Sequence, residues 1–212
     1  MRRSRTFMGY LAALAVAFLS HGAWAQGFAR PEFLIETEAL AKILNQPNVR
    51  LIDAVDPASY QRAHIPSAIN LFYLDLAKIE ERKKNGFPLA AIEAERIFGE
   101  AGIDASTQVV VYDGGEGPSA SGVWFILDFF GHKNVKVLNG GFRKWLKEER
   151  PVTQEASKVE KKKFTPKPNP EKVVDRAWME KNLRNKDIVI VDTRSFNEFI
   201  GKDVRPGASR GG

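Results

Sequence analysis

Val109-Val110-Val111-Tyr112 is an unbroken apolar run, rich in β-branched side chains and bounded by polar residues. A run of that length suits a strand only when both of its faces are buried. Similar short runs occur at Val49–Asp53 and Val135–Leu138, with helix-compatible stretches between them. Alternating strands and helices with doubly buried strands predict an α/β fold: a parallel sheet with helices on both faces.

The helix signals are local. Thr37 is placed to cap a helix over 38–44, Asp56-Pro57 opens a helical turn through Tyr60, and Pro88 stands as the first residue of a helix running to Glu100 and ended by Gly102. Residues 119–130 form an apolar helix and 142–149 an amphipathic one. Trp124, Phe125, Phe129 and Phe130 share helical spacing and read as core, and Trp145 and Trp178 as packing residues. His64 and His132 sit at element boundaries with no second ligand at metal spacing, so hydrogen-bonding roles are expected of them.

The first 25 residues follow another logic. Arg2, Arg3 and Arg5 precede 13 residues of apolar character from Phe7 to Leu19, and Ala23-Trp24-Ala25 then offers a small-x-small cleavage site. The apolar run is shorter than the roughly 20 residues that cross a bilayer, so a cleaved signal peptide and an exported, periplasmic product without a membrane anchor are expected. Removing it takes three arginines and no acid, lowering the formal charge from +6 to +3. That balance, with Lys161-Lys162-Lys163 lying among prolines and no aromatic ladder beside it, is no nucleic-acid footprint; the lysines read as a solvated linker. There is no cysteine, which excludes disulfides, thiolate catalysis and cysteine metal sites within the chain. No metal, nucleotide or haem signature stands out, so no cofactor is expected.

The pattern then repeats. Leu51-Ile52-Asp53 with Tyr60 is echoed by Ile190-Val191-Asp192 with Phe199, an offset of 139 residues from Asp53 to Asp192. The reading is a signal peptide at 1–25, a first domain at 26–151, a Lys- and Pro-rich linker at 152–172 and the start of a second domain at 173–212. Twenty residues follow Asp192, against 98 from Asp53 to Pro151. The second copy is therefore expected to be a loosely docked tail or the cut end of a longer protein.

The segment with the most chemical content is Asp113-Gly114-Gly115-Glu116-Gly117, where a buried strand enters a helix through glycines. Such a loop turns backbone N–H groups inward at the positive end of a helix, which favours an anion or an ionised nucleophile. Asp113 can accept those bonds but cannot form a persulfide, so a tight turn with a self-capped carboxylate is the expected structure. Gly115-x-Gly117-x-x-Ala120 formally fits a dinucleotide fingerprint, yet the position about 20 residues on is Asn139, not an acid, and Pro118 removes a donor.

Taken together, these motifs resemble the two-domain rhodaneses and mercaptopyruvate sulfurtransferases. The likeness runs from about Phe33 to Gly207. It rests on Leu51-Ile52-Asp53 with Tyr60, His64-Ile65-Pro66-Ser67-Ala68, Val111-Tyr112-Asp113, Ala120-Ser121, Trp124, Gly131-His132, Val137-Leu138-x-Gly140-Gly141, Trp145, Pro151 and Val191-Asp192-Thr193-Arg194. Ala63 and Ser67 replace two glycines of the first signature, and Gly122 stands where an arginine is common. The resemblance implies a rhodanese-like fold and a division of labour. A silent first domain carries Asp at the loop position, and a second domain carries a cysteine that takes sulfur from thiosulfate or 3-mercaptopyruvate and passes it to a thiophilic acceptor. By the repeat that cysteine would fall near position ~252, so the chain alone is predicted inactive. It also implies that Arg194 and Arg205 bind the anionic donor; Arg194 could equally pair with Glu198 on the surface. The competing expectation is a non-catalytic module that binds an anion or a protein partner through the Asp113 loop.

Overall fold

In the computed structural model, which describes residues 28–76 and 89–204, five strands form one sheet in the order β1-β5-β4-β2-β3. They are β1 (Leu34–Ile35), β2 (Val49–Asp53), β3 (Ala68–Asn70), β4 (Gln108–Tyr112) and β5 (Val135–Leu138), and every pairing is parallel. The two edge strands were not anticipated, because two or three residues carry no readable alternation. β2 and β4 pair in register from Val49–Gln108 to Asp53–Tyr112, so Asp53 and Asp113 emerge side by side from the same end of the sheet.

The helices are α1 (Thr37–Ile43), α2 (Pro57–Arg62), α3 (Tyr73–Leu76), α4 (Ala91–Glu100), α5 (Pro118–Phe129), α6 (Gly141–Lys147), α7 (Arg176–Asn182) and α8 (Phe196–Phe199). They cover both faces, as the doubly buried strands require. On one face Ile52, Val109 and Val111 pack with Phe98 of α4 and Val123, Ile126 and Leu127 of α5. On the other, Leu51, Val110 and Tyr112 pack with Leu40 of α1 and Trp145 of α6. Phe129, Phe130 and Trp145 are core, Trp124 is packed partly buried against it, and Trp178 is 39% exposed rather than packed.

Several local readings are corrected. Thr37 is the first helical residue and not the cap: the N-cap is Glu36, and the Thr37 hydroxyl donates to Glu148 Oε2 at 2.6 Å. Helix α4 begins at Ala91, and Pro88 lies outside the described residues, as do the signal segment and Arg205. The Lys- and Pro-rich stretch after Pro151 is no free tether. Thr153 forms an antiparallel bridge with His64, the amides of Lys162, Lys167 and Asn169 donate to the carbonyls of Gly99, Phe130 and Phe129, and Phe164 is 3% exposed. Lys172 closes this strap by pairing with Asp128.

Beyond the strap, local elements recur at the 139-residue offset. The 3-10 turn Pro31–Phe33 is matched by Pro170–Lys172, and α1 by α7, residue for residue. Asp56 caps α2 and Ser195 caps α8. The strand does not recur: residues 188–192 pair with no other strand among the described residues, and Val189 and Val191 are 85% and 72% exposed.

Candidate functional site: the loop after β4

Asp113 leaves β4 and is 4% exposed. Its Oδ1 accepts from the amides of Gly115 at 2.9 Å and Gly117 at 3.1 Å, and its Oδ2 accepts from Ala120 N at 3.1 Å. Ala120 lies in the first turn of α5, so the carboxylate also faces the positive end of a twelve-residue helix. Gly115 and Gly117 have φ of +122° and +94°, which turn their N–H groups inward and which a side-chain-bearing residue adopts only with strain.

The far wall of the loop is the turn before α6. Phe142 N donates to Asp113 O at 2.8 Å and Arg143 N to Gly114 O at 3.1 Å. A Cβ on Gly141 would lie 2.6 Å from Asp113 O, so only glycine permits this approach. Arg143 pairs with Glu116 across the mouth. The N–H cradle is therefore built as predicted and already filled: an external anion would have to displace Asp113. At Gly122 a Cβ would fall 2.2 Å from the Tyr73 ring, so a larger residue there requires that side chain to move.

Beside the cradle lies a buried pair that the sequence did not reveal. Asp53 is 2% exposed and its carboxyl is pushed up to about 6 by burial, opposed by the Val55 amide, the Tyr112 hydroxyl and the charge of His64. Tyr112 is wholly buried; its oxygen accepts from Ile65 N at 3.0 Å, and burial beside Asp53 raises its pKa further. The available signal was an acid ending an apolar strand that becomes a central strand of the sheet.

His64 has the hydrogen-bonding surroundings expected of it, whereas His132 Nε2 is buried without a hydrogen-bond partner. His64 Nδ1 lies 2.9 Å from Tyr60 O and Nε2 3.1 Å from Glu155 O, and the ring stacks on Tyr60 at 3.8 Å. His132 is 5% exposed, and burial pulls its pKa down. Among the described residues no group of three His, Cys, Asp or Glu is placed to hold a metal, and no helix is long and apolar enough to cross a membrane. Arg194 is exposed, and its guanidinium pairs with Asp192, Nη2 to Oδ2 at 2.7 Å. Its bonds stay within residues 192–198, away from the Asp113 loop.

A five-stranded parallel sheet between two helical layers, with a closed N–H cradle after β4, defines an α/β domain of the rhodanese type. The rhodanese-like domain matches residues 36–148, and the chain belongs to that family. It is 34% identical over 194 residues to a thiosulfate sulfurtransferase of Rattus norvegicus, covering 82% of this chain and 63% of the relative. It is 30% identical over 149 residues to a 3-mercaptopyruvate sulfurtransferase of the same species, covering 69% and 50%. Among solved structures it superposes on SseA of Escherichia coli, a 3-mercaptopyruvate sulfotransferase, with TM-score 0.68 at 23% identity, covering 84% of this chain and 72% of that one. The chain thus spans under two thirds of the length of the rat enzymes.

Proposed function

We propose that this chain is the non-nucleophilic part of an exported sulfurtransferase that uses thiosulfate or 3-mercaptopyruvate. The observation that carries this reading is the filled cradle: Asp113 accepts three backbone N–H bonds at the position where a nucleophile would sit, and the chain has no cysteine. With thiosulfate, a thiolate attacks the sulfane sulfur, the S–S bond breaks and sulfite leaves. The resulting persulfide then yields its outer sulfur to an acceptor such as cyanide, restoring the thiolate. The thiolate must come from a cysteine outside residues 1–212, in a second domain whose opening elements are 170–201. Arg194 and Arg205 are the candidate donor-binding residues there, with Arg194 leaving Asp192 to reach the donor. Residues 1–25 direct export to the periplasm and are removed.

The test is thiocyanate production from thiosulfate and cyanide. The chain as given is expected to match the no-protein control, and turnover above it would sink the assignment. Asp113→Cys places a thiol among the same donors and is expected to gain the mass of one sulfur atom after incubation with thiosulfate. Recovery of the chain from the cytoplasm with residues 1–25 still attached would refute the export reading, and a periplasmic protein that keeps them would refute their removal.

A second reading, a non-catalytic module for a protein partner, draws on the exposed Val189, Val191, Phe196 and Phe199. Its anion-binding form is disfavoured, because the amides of Gly115, Gly117 and Ala120 are already bonded to Asp113.

A further inference from the structure

At the opposite end of the sheet, where β2 and β3 begin, residues 44–50, the Pro66-Ser67 turn and the strap at 153–158 enclose a groove of about 610 Å³. Arg50, the second residue of β2, lines it. Its side chain passes beside the end of α4, where a Cβ on Gly102 would lie 2.9 Å from Nη2. Nε is buried and has no hydrogen-bond partner, and no carboxylate pairs with this guanidinium among the described residues. Burial alone pulls its pKa below the usual guanidinium range, with no neighbouring acid to offset it.

A half-buried, unpaired guanidinium is unusual, because desolvated charge in proteins is normally matched by an opposite charge or by acceptors. The rest of the groove adds the Lys158 ammonium and groups that can donate as well as accept: the side-chain amides of Asn45 and Gln46 and the hydroxyls of Ser67 and Ser157, with Ser67 donating to Asn45 Oδ1 at 3.4 Å. Ser67 holds φ at +67°, where glycine would be unstrained. Glu155 is the one carboxylate among the lining residues, and it is exposed.

We propose that this groove binds a small tetrahedral oxyanion of the phosphate or sulfate type, anchored by Arg50 and assisted by Lys158. The planar guanidinium fork engages two oxygens, and the ammonium and neutral donors take the remainder. The site lies away from the Asp113 loop and does not depend on the sulfur-transfer reading.

Titrating the full chain with phosphate and with sulfate at constant ionic strength, followed by calorimetry, tests the proposal. Saturable binding is expected, acetate and chloride should not reproduce it, and R50Q should weaken it by at least about tenfold. K158Q should weaken it a few-fold and E155Q should tighten it by a similar factor, the roughly small effects of charges at a solvated rim. Absence of saturation, or affinity unchanged in R50Q, overturns the site. Should R50Q lose its circular dichroism signal, the opposite shifts in K158Q and E155Q carry the test, and wild-type affinity in both would overturn it.

Discussion

Residues 31–62 and 170–201 carry the same local structure and have different fates. Each opens with a 3-10 turn containing proline and a seven-residue helix. In each an aspartate accepts from the amide two residues on, Asp53 from Val55 at 3.1 Å and Asp192 from Arg194 at 3.0 Å. Each then caps a helix through a side chain three residues back, Asp56 to Ser59 N at 3.0 Å and Ser195 to Glu198 N at 3.2 Å. Yet Leu51 and Ile52 are 1% and 0% exposed, whereas their counterparts Ile190 and Val191 are 43% and 72% exposed. Turns, caps and short helices are specified within a few residues; a parallel strand exists only where others flank it. β2 has β3 and β4, and 188–192 has neither.

The contrast should be largest in hydrogen exchange. Amides of β2 are expected to exchange only through global opening and those of 188–192 almost freely, a difference on the order of a thousandfold or more in protection. Equal protection in the isolated chain would mean that 188–192 has found a sheet partner, which would end the contrast.

Core truncation comes next in size. Leu51→Ala should cost about 2–5 kcal/mol in denaturant unfolding, whereas Val191→Ala should stay within about 0.5 kcal/mol. The strap falls on the side of the first region: Phe164→Ala should cost roughly 3 kcal/mol, because it empties a site between Phe98 and His132. A cost near zero for Phe164→Ala would return the strap to the solvated linker that its composition suggests.

Legibility in the sequence followed the same division. The three longer strands, α2, α5 and α6 lay within a residue or two of their predicted places, because short apolar runs, Asp56-Pro57 and the glycine turns act locally. Thr37 was misread as a cap because its hydroxyl is taken by Glu148, 111 residues away. Phe164 stands as a single aromatic among lysines and prolines, with no periodicity to show that α4 and α5 receive it. At the site, the Asp113 cradle was readable from the Gly-rich turn after an apolar strand, and the filling of its donors followed from the identity of Asp113. Asp53 beside Tyr112 was not readable, since it depends on the pairing of β2 with β4, and neither was the Arg50 groove, which needs the strap folded back. Arg194 shows the limit from the other side: the sequence offered a donor contact or Glu198, and in this chain the guanidinium bonds Asp192, a partner two residues away that neither reading named.

The last predicted effects set the two aspartates against each other. Burial raises Asp53 to about 6, so its protonated form is the one the fold favours. Its stabilising contribution is complete below the unfolded carboxyl value near 4 and is lost as pH rises through about 6, up to about 3 kcal/mol for a shift of this size. Asp53→Asn cannot ionise and should escape that loss, so its melting temperature relative to wild type should climb between about pH 4 and 6 and then level off. Asp192 behaves with the opposite sign. The Arg194 side chain and amide lower it to about 2, so its contribution is present above the unfolded value and lost as pH falls through about 2. It is an exposed pair, and Asp192→Asn should change the melting temperature little at neutral pH. A flat pH profile for the Asp53→Asn difference would mean that the carboxylate is solvated in the fold. Equivalence of the two aspartates would then remove the electrostatic half of the contrast between the regions.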